Sequence, residues 1–242
     1  MPGTGPVSGP RHRIMLIAEI FHSLQGEGQH QGTPSIFIRT SGCNLRCAWC
    51  DTPYASWRPE GDPLEVEAIL ERARAWPGTR HVVLTGGEPL IAPGVGRLVE
   101  ALQADGKLVT IETSGTVHIP ELRPALYSVS PKLSHSTPGP EHPEARRIHL
   151  RHNRYENLSR YVDGPCEYQM KFVVQGEGDA AEALELVARF AIPRERVFLM
   201  PEGASPELVR QRAPAVADIC LREGLNYSCR LHLDLWGDVR GR

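Results

Sequence analysis

Apolar segments of strand length alternate with helical patterns along most of this chain, and that alternation limits the folds open to it more than any other feature. The segments are rich in β-branched and aromatic residues, as strands are. In chain order they read IMLIAEIF, SIFIRT, HVVLTG, KLVTIET, LYSVSP, QMKFVV, RVFLMP and YSCRLHL. Since strands that alternate with helices form parallel sheets or barrels, we predict an α/β fold with mostly parallel strands.

Helical patterns fill the intervals from residue 62 onward. The first one opens with Asp62 as a predicted N-cap and Pro63 at the first helical position, both favourable at a helix start. Similar patterns cover residues 94–105, 179–190 and 205–223. We therefore expect a helix from residue 62 and one helix in each of the later intervals.

Two segments depart from this alternation. Residues 1–13 are rich in Gly and Pro, and we expect them to form a flexible leader in front of a single domain at 14–242. Residues 133–163 are too long and too polar for an ordinary connection between a helix and a strand. We predict a solvated polar insert with some helix there, whose four histidines are not spaced as one compact set of metal ligands.

The charge balance excludes some kinds of partner. Twenty-seven Lys and Arg face 29 Asp and Glu, a net charge of -2, so composition offers no electrostatic attraction to nucleic acid or anionic membranes. The chain has no apolar run near the roughly 20 residues that span a bilayer. We expect a cytoplasmic protein, in which the six cysteines are metal ligands or buried thiols and not disulfides.

Three of the cysteines form a tight group in GCNLRCAWCDT, at Cys43, Cys47 and Cys50. Structural zinc usually takes four protein ligands in two pairs, and Cys166 and the other remaining cysteines stand alone. Three thiolates on an iron-sulfur cluster would leave one iron open to another ligand. A non-catalytic zinc module stays an alternative at this point.

The spacing CxxxCxΦC, with Trp49 as the aromatic residue, resembles the signature of the radical S-adenosylmethionine (SAM) superfamily. GGEP at residues 86–89 resembles a second motif of that superfamily, which holds the amino group of SAM. The resemblance implies a partial, incomplete β/α barrel, a 4Fe-4S cluster on the three cysteines, and SAM as cofactor. The residues it assigns to SAM are Gly86, Gly87, Glu88, Thr113, Ser114, Ser130, Lys132, Met200 and Pro201.

The stretch FHSLQGEG and the segment GTPSIFIR after it closely resemble the 7-carboxy-7-deazaguanine synthase family of queuosine biosynthesis. This implies a lyase that contracts the ring of 6-carboxy-5,6,7,8-tetrahydropterin with loss of ammonia. Gln25 and Glu27 would read the amino and amide edge of the pterin, and Arg39 would pair with its carboxylate. The full set of implied substrate residues is Leu24, Gln25, Glu27, Arg39, Gly87 and His232, the last on a predicted strand.

The same resemblance implies a magnesium ion, bound through Thr52 and through the substrate. Asp51 competes with Thr52 as its ligand. The family also implies a homodimer and an electron donor such as flavodoxin. The basic stretch at residues 146–154 of this chain would attract the acidic surface of that donor. A glycyl-radical-enzyme activase shares the cysteine motif and is the second alternative.

Overall fold

The computed structural model describes residues 14–241. The predicted leader, 1–13, lies outside the described residues. In chain order the strands are β1 Ile14–Leu24, β2 Pro34–Thr40, β3 Asp62–Glu65, β4 His81–Gly86, β5 Leu108–Thr113, β6 Leu126–Val129, β7 Tyr168–Val174, β8 Val197–Pro201 and β9 Asn226–Tyr227. The helices are α1 Val66–Ala73, α2 Val95–Ala104, α3 Pro143–His152, α4 Leu158–Val162, α5 Glu177–Arg189, α6 Pro206–Glu223 and α7 Leu231–Trp236.

Within residues 14–241 the nine strands form one sheet, in the order β3-β1-β2-β4-β5-β6-β7-β8-β9. From β2 to β9 all neighbours are parallel, whereas β1 is antiparallel to both β2 and β3. The two end strands, β3 and β9, do not pair with each other, so the sheet stays open. This confirms the predicted α/β fold and its partial-barrel form.

The central strands are buried on both faces, as expected when helices and loops cover a parallel sheet. In β4, Val82, Val83 and Leu84 are each 0% exposed, and every residue of β7 is buried. Helix α2 packs Leu98 and Leu102, also fully buried, into the core on one side of the sheet. Since parallel register aligns the strands, their C-terminal ends meet along one edge, with Arg39 opposite Thr85.

The prediction of a helix from residue 62 was wrong. Residues Asp62–Glu65 instead form β3, which pairs with Ile14–Ile17 of β1, and α1 begins at Val66. Pro63 is compatible with this position because β3 is an edge strand of the sheet, where proline is found. Pairing with β1 therefore determined the conformation of residues 62–65, although Asp62 and Pro63 are favourable residues at a helix start.

The C-terminal segment also differs from the prediction. Of YSCRLHL, only Tyr227 lies in a strand, the two-residue β9, and Leu231–Trp236 forms helix α7. His232 is therefore on a helix and not on a strand. The other predicted helices, α2, α5 and α6, are confirmed within a few residues.

The insert at 133–163 contains α3 and α4, which confirms the predicted helix, but it is less solvated than expected. His149 is 0% exposed and lies against the cysteine loop: Nδ1 accepts from the amide of Arg46 at 3.4 Å, and Nε2 lies 3.1 Å from the Ser136 hydroxyl. The Ala48 amide donates to the carbonyl of Ser136 at 2.8 Å. The insert thus supports the loop that carries the cysteines.

Among the helices of the described chain, none is long and apolar enough to cross a membrane.

Candidate active site

A cavity of about 510 Å³ opens at the C-terminal edge of the sheet. Its wall contains the three motif cysteines and most residues that the sequence assigned to SAM, substrate and magnesium. Those residues are Leu24, Gln25, Glu27, Arg39, Cys43, Cys47, Cys50, Thr52, Gly86, Gly87, Thr113, Ser114, Ser130, Lys132, Met200 and His232. Segments far apart in the chain therefore meet in one space, because the parallel strands deliver their ends to the same edge.

The three cysteine thiols are unpaired and share this space. Burial raises the pKa of Cys43 to about 11 and that of Cys47 to about 12, so both are neutral thiols near pH 7. A bound metal centre would deprotonate them through its own charge. In the described chain, no three His, Cys, Asp or Glu side chains surround a point as a mononuclear ion requires. A cluster that takes one thiolate on each of three irons is larger, and this donor set fits it.

The cysteine loop is fastened to the turn after β4. The Glu88 amide donates to the Gly42 carbonyl at 3.0 Å, and the Gly87 amide donates to the Thr40 carbonyl at 3.2 Å. A Cβ at Gly87 would lie 2.4 Å from the Gly42 carbonyl oxygen and 2.7 Å from the Cβ of Cys43. Only glycine allows this approach, and it brings the GGEP turn beside the first cysteine.

Glu88, which is predicted to contact the SAM amino group, lies behind the cavity wall in this structure. It is 0% exposed and is not part of the cavity wall. Its carboxylate accepts from Thr113 Oγ1 at 2.8 Å, from Ser114 Oγ at 2.6 Å and N at 2.9 Å, and from the Leu90 amide at 3.1 Å. Burial raises the Glu88 pKa, and these hydrogen bonds oppose the rise. The carboxylate thus holds the end of β5 in place, while the backbone of Gly86 and Gly87 faces the cavity.

Two further residues that are predicted to bind SAM, Ser130 and Lys132, lie together after β6. Lys132 Nζ donates to the Ser130 carbonyl at 2.9 Å and lies 2.8 Å from its hydroxyl. The same ammonium lies 5.8 Å from the ring centre of Trp49, inside the cysteine motif. On β8, Met200 reaches the cavity but Pro201 does not, because alternate strand residues point to opposite faces.

The carboxylate of Glu27 lies in the cavity wall between two cations that the sequence analysis did not identify. It pairs with Lys171 Nζ of β7, and Oε1 lies 3.3 Å from Nε of Arg230. Burial alone would raise the pKa of Glu27, but the charges of Lys171 and Arg230 outweigh that effect and hold it well below its usual range. Glu27 is therefore ionised. A lysine inside the apolar run QMKFVV was the available signal, since lysine is rarely buried without a partner.

Both the nitrogen and the oxygen of the Gln25 side-chain amide form hydrogen bonds. Its Nε2 donates to Glu112 Oε1 at 3.1 Å, and its Oε1 accepts from the amide of Glu27 at 3.1 Å. The other oxygen of Glu112 accepts from the Thr85 hydroxyl at 3.1 Å. Glu112 and Thr85 both reach the cavity wall, and the sequence analysis assigned a role to neither.

Arg39 is held from one side by Glu19 of β1. Its Nε donates to Glu19 Oε1 at 2.7 Å, and the Tyr54 hydroxyl donates to the same oxygen at 2.7 Å. Within residues 14–241 the two Nη atoms of Arg39 donate no hydrogen bond, although the residue lines the cavity. The guanidinium is thus oriented through Nε with its terminal nitrogens open to a ligand.

The two predicted magnesium candidates, adjacent in sequence, have different surroundings. Thr52 Oγ1 lies 3.8 Å from Cys50 Sγ in the cavity wall. The neighbouring carboxylate of Asp51 pairs with Arg230, at 2.5 Å from Nη2 to Oδ2. Desolvation by the surrounding cavity wall would raise the pKa of Asp51, but the charge of Arg230 lowers it. The hydroxyl is therefore the freer of the two oxygen donors.

Comparisons with known proteins show the family of this chain. A family model with the description "Radical SAM superfamily" matches residues 37–165 of the chain. The chain is 44% identical to the 7-carboxy-7-deazaguanine synthase of Rhodopirellula baltica, over 94% of this chain and 88% of that one. It is 41% identical to the enzyme of the same name from Halobacterium salinarum, over 92% and 91% of the two chains.

Solved structures agree as well. QueE from Escherichia coli superposes with a TM-score of 0.63 at 26% identity, covering 90% of this chain and 95% of that chain. TYW1 with a lysine-pyruvate adduct bound has a TM-score of 0.57 at 15% identity, over 79% and 74% of the two chains, and shows the likeness in fold alone. Neither the activase nor the zinc-module alternative is favoured by these relatives. The chain belongs to the radical SAM superfamily and, within it, to the 7-carboxy-7-deazaguanine synthase family.

Proposed function

We propose that this cavity converts 6-carboxy-5,6,7,8-tetrahydropterin to 7-carboxy-7-deazaguanine with loss of ammonia, as the family's lyases do. The observation that carries the proposal is one cavity lined by the three motif thiols, by the ionised Glu27 and by Arg39 with its open Nη atoms. A carboxylated pterin offers a guanidine-like N–H edge and a carboxylate. The two charged side chains complement these two ends.

As a member of the radical SAM superfamily, the chain uses a 4Fe-4S cluster and SAM, and its family also requires Mg²⁺. When bound, the cluster and SAM would supply the 5'-deoxyadenosyl radical for removal of a hydrogen atom from C6 of the pterin. Cys43, Cys47 and Cys50 would hold the cluster. Thr52 would hold Mg²⁺, with the substrate and water as its other ligands, since that ion keeps several waters and few protein ligands.

SAM would lie along the ends of β4, β5 and β6. We assign its methionine part to the backbone of Gly86 and Gly87, and its ribose and carboxylate to Ser114, Ser130 and Lys132, all of which reach the cavity. Thr113 is also in the wall, and its hydroxyl is fixed by Glu88. In this assignment Glu88 supports the SAM site from behind and does not touch the cofactor.

The substrate would lie across the ends of β1 and β2. The Arg39 Nη atoms would pair with the pterin carboxylate, and Glu27 would accept hydrogen bonds from the amino and amide edge. Gln25 orients Glu27 through the backbone hydrogen bond at 3.1 Å. His232, Leu24 and Gly87 complete the wall around the ring.

Cleavage of SAM to that radical would need one electron delivered to the cluster, and we propose a flavodoxin as donor. Helix α3 contacts the cysteine loop through His149. It also carries Arg146, Arg147 and Arg151, and their positive charge suits an acidic partner. A homodimer and a single domain at 14–242 are further expectations. Analytical ultracentrifugation of the holoenzyme tests the dimer directly.

The test of the function is an anaerobic reaction of the reconstituted protein with SAM, a reductant and carboxytetrahydropterin, with and without Mg²⁺. Formation of 7-carboxy-7-deazaguanine that rises on addition of Mg²⁺ is the expected result. SAM cleavage without that product would reject the substrate and retain the radical chemistry. Zinc without iron or acid-labile sulfide in the purified protein would reject both.

A further inference from the structure

Arg230 joins three segments that have no local connection in sequence. Its Nε lies 3.3 Å from Oε1 of Glu27, after β1, and its Nη2 lies 2.5 Å from Oδ2 of Asp51, directly after the third cysteine. Its Nη1 donates to the carbonyl of Gly203, after β8, at 2.5 Å. Each nitrogen of the guanidinium thus has one acceptor, which accounts for three of its five N–H donors.

The arginine is also fixed at its backbone. Its side chain is only 10% exposed, and the next amide, of Leu231, donates to the carbonyl of Gly26 at 3.0 Å. The Asp234 amide donates back to the Arg230 carbonyl at 3.4 Å. These backbone hydrogen bonds hold the start of the Arg230 side chain in place beside the two carboxylates.

The two carboxylates depend on Arg230 to different extents. Glu27 has a second cation, Lys171, and stays neutralised without the arginine. In the described chain, Asp51 makes its ion pair with Arg230 alone, and its side chain is 48% exposed. Asp51 is therefore the group whose chemistry Arg230 controls.

Asp51 is adjacent to Thr52, the proposed ligand of Mg²⁺. A hard cation prefers a carboxylate to a hydroxyl, so a free Asp51 would be the better ligand of the two. The guanidinium occupies one oxygen of that carboxylate and cancels its charge. The cation is then left with the hydroxyl of Thr52 and with whatever the substrate brings.

We propose that Arg230 is a positioning residue that withholds the Asp51 carboxylate from the divalent cation, so that the cation binds tightly only when the substrate contributes its own carboxylate. This inference rests on the proposed function, which supplies both the cation and the substrate. It makes metal binding dependent on substrate binding. It also explains why an acid next to the metal position is paired with an arginine.

The test uses Mn²⁺ as a paramagnetic probe, titrated by electron paramagnetic resonance into the anaerobic holoenzyme with SAM and without substrate. In Arg230→Gln, Asp51 is released, and Mn²⁺ should bind about tenfold more tightly than in the unaltered protein, as expected for one new charged ligand. A merely structural role for Arg230 would weaken binding or leave it unchanged. An unchanged or weaker affinity in a variant with full cluster content overturns the proposal.

Two further variants assign the effect. Arg230→Gln combined with Asp51→Asn should return to the weak affinity, because the released carboxylate is gone. Arg212→Gln is the matched control: Arg212 pairs with Glu202, another acid of the cavity wall, and its loss should leave the Mn²⁺ affinity within about twofold.

Asp51→Asn in the otherwise unaltered chain does not depend on the stability of the arginine variants. Since Asp51 is withheld, this change should leave the substrate-free affinity for Mn²⁺ within about twofold. A tenfold loss would show that Asp51 is already a ligand and would overturn the proposal. Because the titration involves no turnover, its result is separate from that of the product assay.

Discussion

Gly26 lies directly against the imidazole of His232, so closely that a Cβ on Gly26 would be 2.2 Å from Nδ1. The backbone hydrogen bond from Leu231 to Gly26 at 3.0 Å holds the two segments at this separation. His232 therefore has its place in the cavity wall only because residue 26 has no side chain.

Gly26→Ala should displace the imidazole and disturb the substrate side of the cavity. We expect product formation to fall by about a hundredfold, as displacements near 1 Å in an active site can cause. SAM binding should change little, because the residues proposed to bind SAM lie on other strands. Gly78→Ala is the control, since nothing lies within 4 Å of a Cβ there. Equal losses in the two variants would contradict the role of the Gly26 contact.

Cys47→Ala should abolish assembly of the cluster and cleavage of SAM, because two thiolates cannot hold three irons. The measurements are iron and acid-labile sulfide content and the yield of 5'-deoxyadenosine. Cys166→Ala removes a cysteine outside the cavity wall and should keep both values. SAM cleavage by the Cys47 variant would show that the ligand set is assigned incorrectly.

Arg39→Ala should raise the KM for the pterin by about 10- to 100-fold, the loss expected for a charge-assisted contact, while the Kd of SAM changes little. Arg240→Ala provides a comparison, because Arg240 Nε lies 3.4 Å from the other oxygen of the same Glu19 carboxylate. If the two variants lose pterin binding equally, the effect comes through Glu19 and not through the open Nη atoms of Arg39.

Glu88→Ala should lower both the stability of the fold and the affinity for SAM. The change leaves the Thr113 and Ser114 donors and the Leu90 amide without their acceptor in a buried place. We expect a loss of about 3 kcal/mol in the free energy of unfolding. SAM affinity should fall by about tenfold, because the end of β5 moves. Glu67→Ala removes an acid from an exposed ion pair and should change neither quantity. A Glu88 variant that loses SAM binding with unchanged stability would indicate direct contact with SAM.

The buried His81 should make the free energy of unfolding depend on pH. Burial, with a smaller contribution from His30, lowers the pKa of His81 from 6.5 to about 4. The unfolded chain takes up the proton near pH 6.5 and the folded chain only near pH 4, so stability is full above 6.5 and falls as the pH drops toward 4. The loss amounts to at most about 3 kcal/mol.

Denaturant unfolding near pH 7.5 and near pH 5 checks this expectation. His81→Gln should reduce the difference between the two free energies, because the group that titrates is gone. His152→Gln, at an exposed position of α3, should leave the difference unchanged. A pH dependence that survives in the His81 variant would place its origin in another group, such as the buried His149.

Much of the site follows from local patterns in the chain. The cysteine spacing, the GGEP turn and the polar endings of β5 and β6 are each encoded within a few residues. Parallel pairing then brings these ends together, whatever the details of packing. The strands from β1 to β8 that position them were therefore predictable, apart from the short β3, whose pairing with β1 overrode a favourable helix start.

The sequence alone thus determined which chemical groups occur and where they lie along the chain. These are the thiol loop, the glycine turn, and the charged residues Glu27 and Arg39. Only the tertiary structure decided which charges meet. It placed Lys171 and Arg230 on either side of Glu27, turned Glu88 away from the cavity, and put His232 on a helix against Gly26. The physical reason is that backbone periodicity is a local property. Ion pairs and close contacts instead depend on the distances between segments far apart in the chain, and those distances exist only once the sheet and its loops have packed.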